Sequence, residues 1–207
     1  MLNEMIEVCK GDIDELMATR FERSGVLSWD IETTGLDWKS DKIATCQLHN
    51  DEVGSVLVMI DGIPERVRSL IENPSVLKIF HHAMFDLRFM SYHWGAKPTN
   101  VACTKIASKL LYRDLEPSGH SLKPLLWRTL GVEIDKSEQR SDWSRNSLTE
   151  SQVRYAISDV AYLRPLLDFL HSQLDLEGRG QLMRGCFSHL PTRVDLDLLG
   201  YPDVFTY

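Results

Sequence analysis

The sequence carries no excess of basic charge: 23 Lys and Arg stand against 30 Asp and Glu, a net charge of −7. That balance is opposite to that of a protein holding long nucleic acid through a broad basic surface, and any phosphate partner has to be met with cations from elsewhere. Long apolar runs are missing too. The longest, Val56 to Ile60, is far below the roughly 18 residues a membrane span needs. The opening MLNEMIEVCKGD lacks the basic and apolar regions of a signal peptide, so a cytoplasmic location is expected. Paired cysteines are absent as well. Cys9, Cys46, Cys103 and Cys186 are widely separated without a C-x-x-C, which argues against zinc and for reduced core thiols. With 12 Gly and 8 Pro in 207 residues, disorder and fibrous repeats are poor readings.

What is present is ordinary globular composition, 43% hydrophobic and 26% charged, enough to bury one core. One domain over 1–207 is expected, with 190–207 as a short irregular C-terminal tail. Ile6 to Cys9 reads as a strand, and Asp12 with Glu15 resembles a capping box opening a helix to about Phe21. Val26–Ile31, Lys42–His49 and Gly54–Ile60 form three strand-like runs that suggest a β-meander. A helix from Pro64 to Glu72 and a buried strand at Val76–Phe80 begin a strand–helix–strand alternation. Helices follow at Phe85–Trp94, Thr104–Leu111 and Ser121–Leu130, where Trp127 reads as helix packing. Thr149 with Gln152 opens the strongest helical pattern, which runs to Leu176 and restarts near Pro165. The fold class is α/β, a mixed sheet packed by helices.

Asp30 and Glu32 lie two apart at the end of an apolar strand, so the pleat points both carboxylates to one side and Ile31 to the other. Such a pair arises by chance about 0.7 times in ~200 residues and is weak alone. Asp86 falls in the first turn of a helix after a buried strand. Tyr155 and Asp159 are four apart, on one face of the strongest helix. Together, four oxygen-bearing acids suit Mg²⁺ or Mn²⁺ better than Zn²⁺ and predict a two-metal phosphoryl-transfer site.

The segments WDIETTGL, FHHAMFDLRFM, CTKIASKLL and HSLKPLLWRTLGVEIDKSEQRSDWSRNSLTESQVRYAISDVAYL resemble, in order, the DEDD exonuclease superfamily in its DEDDy branch, the ribonuclease D-like family. Chain length and the C-terminal GCFSHLPTRVDLDLLGY are most similar to the short stand-alone nanoRNase C type. The resemblance implies a ribonuclease H-like sheet flanked by helices and 3′-5′ exonuclease activity. It implies Asp30, Glu32, Asp86 and Asp159 as metal ligands, with Tyr155 completing the catalytic set. One ion would activate water for in-line attack and the second would stabilise the departing 3′ oxygen, leaving a nucleoside 5′-monophosphate. One departure stands out: many relatives have Asn before the Phe-Asp of this motif, where this chain has His81-His82.

For substrate contacts, Thr33 and Thr34 could offer hydroxyls or N–H groups, and Leu36 sits where related enzymes wedge an apolar side chain between the last two bases. His81, His82 and Phe85 flank the third carboxylate and could stack on or bond the terminal nucleotide. Gln139, Arg140, Ser141, Asp142 and Trp143 resemble the family's substrate-side loop. The resemblance implies short RNA as substrate, down to dinucleotides, handled by a homo-oligomer of the ring-like octameric kind. Two other readings remain: a broader exonuclease on longer RNA or DNA ends, and a non-catalytic nucleic-acid-binding module.

Overall fold

The computed structural model describes residues 6–139, 141–145 and 147–206. Arg140, which falls in the expected substrate-side loop, lies outside the described residues. Among the described residues, six strands, β1 (Ile6–Lys10), β2 (Val26–Thr33), β3 (Ile43–Asn50), β4 (Gly54–Met59), β5 (Leu77–Phe80) and β6 (Val101–Cys103), form one sheet in the order β1-β4-β3-β2-β5-β6. The meander β2-β3-β4 is antiparallel, and β5 and β6 continue from β2 in parallel. β1 joins the far edge parallel to β4. The expected α/β class with a mixed sheet is the observed one. Three-residue β6 carries too short a pattern to read from sequence; its place is set by pairing Lys78–Phe80 with Val101–Cys103.

Among the described residues, eight α-helices cover the sheet: α1 (Glu15–Ser24), α2 (Glu65–Glu72), α3 (Ala83–Trp94), α4 (Thr104–Leu111), α5 (Leu122–Leu130), α6 (Glu150–Ala161), α7 (Leu163–Leu176) and α8 (Gly180–Leu198). Apolar residues of β2 such as Leu27, Trp29 and Ile31 join Phe21, Leu70, Leu87 and Phe89 in the largest core cluster. A second cluster unites Ile79, Leu125, Leu126, Leu166 and Leu170. A third gathers Leu57, Trp143, Tyr155 and Ile157 beneath α6. The Thr149–Gln152 capping box is formed reciprocally, and the long pattern breaks at Tyr162, which leaves Pro165 in the first turn of α7 where its missing N–H is harmless. Gly25 and Gly131 end α1 and α5 in the left-handed region, at φ 69° and 66°, where a Cβ is disfavoured.

Three expectations are corrected. Asp14, not Asp12, caps α1, accepting from the Met17 N–H. Asp12 instead accepts from Arg66 and Val67 N–H at 2.8 and 3.2 Å, capping α2 more than fifty residues on, a tertiary contact that local spacing does not encode. The tail from residue 190 is largely helical: α8 continues through Pro191 to Leu198. Burial of Leu190 and Val194 in the main core and the Arg193–Asp197 and Arg88–Asp197 pairs at 2.7 and 2.6 Å outweigh the proline's lost bond. Trp127 is 64% exposed on the outer side of α5. Its neighbours Leu125 and Leu126 take the buried positions.

Candidate active site

β2 and β5 run parallel, so their C-terminal ends open on the same side, where an α/β sheet commonly presents ligand groups. From β2, Asp30 and Glu32 point away from the Trp29 and Ile31 core and towards α6. A register irregularity between Glu32 and Thr33 ends the regular pairing with β3 beside them. From the end of β5 the chain passes through His81-His82 into α3, placing Asp86 in its first turn. From the other layer α6 brings Tyr155 and Asp159, both buried. Oxygens of Asp30, Glu32 and Asp159 lie within 4.8 Å of one another. Asp86 joins them electrostatically, raising the pKa values of both β2 acids, and its Oδ1 is buried without a hydrogen-bond partner.

Crowding four acids in a partly dry site penalises charge. Burial first, then Asp86, Asp159 and Glu32, push Asp30 well above the usual carboxylate range. Glu32 is raised to about 8, by burial and then Asp159. Asp86 reaches about 8 through burial, although its own N–H and that of Ile31 oppose the rise. Asp159 is raised by burial and drawn back by Lys136. A hard divalent cation answers this imbalance: the donors are all oxygen, they converge, and one buried oxygen lacks a partner.

Lys136 was not singled out from the sequence. Its Nζ lies 2.6 and 2.7 Å from the two Asp159 oxygens and 3.5 Å from the Tyr155 hydroxyl. Lys136 stands inside the last of the segments that carry the family resemblance, but a single lysine there has no periodic signal, and its reach to Asp159 exists only in the folded chain. The Tyr155 hydroxyl is pushed above its ordinary pKa by burial and then by Asp159, Glu32 and Asp30, so it stays protonated at neutral pH.

The expected substrate contacts are placed unevenly. Thr33 donates its hydroxyl to the Gly35 carbonyl at 2.5 Å. Thr34 uses its N–H on Lys42 O, and its hydroxyl accepts from Lys42 N–H. Both threonines therefore shape the loop after β2. Gly35 there leaves room for the Asp41 carboxylate, which a Cβ would strike. Leu36 is 84% exposed on that loop. His81 bonds Thr104 through Nδ1, leaving a buried Nε2 without a partner, and burial followed by Lys105 lowers its pKa to about 3. His82 stacks on Phe85 with centroids 6.2 Å apart, and partial burial and then Lys105 bring it to about 4. Both rings are neutral at pH 7. Gln139 and Asp142 are exposed, Ser141 accepts from Gln152 Nε2, and Trp143 is buried against Tyr155.

Residues 9–175 match a family model described as 3′-5′ exonuclease. The chain belongs to the 3′-5′ exonuclease family. Within this exonuclease family, Brucella melitensis NrnC is 33% identical, with a TM-score of 0.90 over 98% of each chain. That nuclease has also been solved with bound Mg²⁺ and bound to pGG. Ribonuclease D of Shewanella sp. (strain ANA-3) is 31% identical over 79% of this chain, and DNA polymerase I of Aquifex aeolicus 34% over 80%. The alignments span only 42% and 27% of those two longer relatives. Escherichia coli RNase D, at 23% identity and a TM-score of 0.76, shares the fold. Among the described residues no helix is long and apolar enough to cross a membrane.

Proposed function

We propose that this member of the exonuclease family hydrolyses short RNA from the 3′ end, down to dinucleotides, releasing nucleoside 5′-monophosphates with two divalent ions, Mg²⁺ or Mn²⁺. The observation that carries the reading is the convergence of Asp30, Glu32 and Asp159 oxygens within 4.8 Å, with Asp86, one of whose oxygens is buried and unpartnered, acting on both β2 acids electrostatically. Asp30, Glu32, Asp86 and Asp159 would hold the metal, which supplies activation of water and neutralisation of charge on the departing 3′ oxygen. Tyr155 keeps its proton, so its service is to orient the attacking water by hydrogen bonding and not to act as a full base. Leu36, exposed on the loop leaving β2, offers an apolar edge to separate the last two bases. Neutral His82 on Phe85 offers a stacking face for the nucleotide.

Support for a short substrate comes from charge and from kinship. A chain at −7 has no overall basic excess to track a long strand, whereas a dinucleotide needs little beyond the metal site. The similar Brucella nuclease, matched over 98% of both chains, has been solved with pGG. Assembly into a homo-oligomer, of octameric kind, is part of the same proposal. Exposed Leu182, Leu199, Tyr201, Val204 and Phe205 on and after α8 supply apolar surface for it. The kinship to Aquifex DNA polymerase I favours one rival, trimming of DNA ends.

The test is a time course of 5′-labelled RNA dinucleotide, RNA heptanucleotide and a matching DNA, with Mg²⁺ or Mn²⁺, in wild type, Asp30→Ala and Asp159→Ala. Rapid metal-dependent loss of the RNA dinucleotide, abolished in both variants, is expected. Stepwise shortening of the heptanucleotide or DNA at equal rate would replace the dinucleotide reading with a general exonuclease. No mononucleotide with either metal would leave a binding module.

A further inference from the structure

Lys136 lies on the segment between α5 and α6, outside the four-acid set, yet its ammonium sits on both oxygens of Asp159, at 2.6 and 2.7 Å. The same ammonium lies 5.0 Å from the centre of the Tyr155 ring and 3.5 Å from its hydroxyl. One cation thus engages the whole carboxylate edge that α6 offers to the site. We propose that Lys136 serves as the counter-ion of Asp159 and surrenders that carboxylate when a divalent metal binds. The inference rests on the reading that Asp30, Glu32 and Asp159 hold a divalent ion.

The reason is spatial and electrostatic. A magnesium ion takes carboxylate oxygens at about 2.0–2.1 Å, in the region the ammonium now shares. Two positive centres on one carboxylate edge of a partly dry site repel with little solvent to screen them. The ammonium is the one that can leave. It rides on a flexible four-carbon stem, and the side chain keeps 23% of its surface exposed, so a path to solvent is open. The backbone around it is pinned. Asp135 accepts from the N–H and hydroxyl of Ser137, and Gln139 N–H bonds the Lys136 carbonyl. The exchange therefore asks for rotation of one side chain without movement of the segment.

This lysine also relieves the acids. It lowers the pKa values of Asp30, Glu32 and Asp159, acting against their mutual repulsion.

Wild-type protein gives the direct test. The rate of reductive dimethylation at Lys136, followed by mass spectrometry with exposed Lys109 as internal reference, is expected to rise several-fold when the protein is saturated with Mg²⁺. An unchanged rate with Mg²⁺ demonstrably bound overturns the exchange. Lys136→Met, titrated calorimetrically beside wild type in the same buffer, is expected to bind Mg²⁺ roughly tenfold more tightly than wild type. Equal or weaker affinity also overturns it. If the variant does not fold without metal, the wild-type methylation rate decides alone. Wild type that binds no divalent ion at all would instead remove the metal-site reading on which this inference stands.

Discussion

Trp143 packs its ring 5.8 Å from that of Tyr155, tilted by 40°, so the tyrosine that faces the acids is backed by a buried aromatic wall. The wall comes from the loop before α6, and Gln152 ties that loop to the helix by donating to Ser141 Oγ and the Asp142 carbonyl at 2.9 and 3.1 Å. Removing the indole should act on stability and on orientation of the hydroxyl together. Trp143→Ala is expected to cost about 3–5 kcal/mol in urea denaturation. Trp143→Phe should recover much of that stability. With kcat falling more than KM rises in the Phe variant, Trp143 is a positioning residue for Tyr155; a change in KM alone would assign it to substrate binding.

Asp30 sits where burial and three other acids all oppose its charge. Asp30→Asn should therefore make the metal-free protein more stable by roughly 1 kcal/mol, as relief of functional strain commonly does. On the proposed reading of Asp30 as a metal ligand, the same change should lower turnover at least about a hundredfold. Thermal melting in chelator and a single-turnover assay check the two halves. A destabilised variant would show that Asp30 is held by contacts other than those of its acidic neighbours.

The pH dependence follows from Glu32 and Asp86, whose folded pKa values of about 8 stand far above their ordinary 4.5 and 3.8. A raised acid binds its proton more tightly in the folded chain than in the unfolded one. Its contribution to stability is thus full below the ordinary value and fades as pH climbs through the folded one. Metal-free protein should lose melting temperature progressively from about pH 4.5 to about 8. Saturating Mg²⁺ should flatten that slope, because the ion takes the place of the protons. Melting curves across pH with chelator and with Mg²⁺ read this directly. A flat metal-free profile would contradict the crowding of the acids.

Asp12 links the turn after β1 to the start of α2 by accepting from Arg66 and Val67 N–H. Asp12→Ala leaves two helix N–H groups without that acceptor and should cost about 1 kcal/mol, within the range of a lost N-cap. Exonuclease turnover should be unchanged at temperatures below the new melting point. Chemical denaturation and a steady-state assay on the same preparation separate the two effects.

The sequence by itself determined the strand and helix order over most of the chain. Apolar runs at β2, β3 and β4 matched the pleat, and the Thr149–Gln152 box marked the start of α6, because pleat period and helix caps act over a few residues. It also put Asp30 with Glu32 on one face of a strand and Tyr155 with Asp159 on one face of a helix, for the same local reason. Tertiary structure alone decided which acids meet, how far burial and repulsion raise their pKa values, and that Lys136 reaches Asp159 across 23 residues. It moved Asp12 from α1 to α2, carried α8 through Pro191 and left Trp127 outside the core. Each of these depends on a partner distant in sequence, and local patterns carry no information about contacts that exist only once the sheet and its helices have packed.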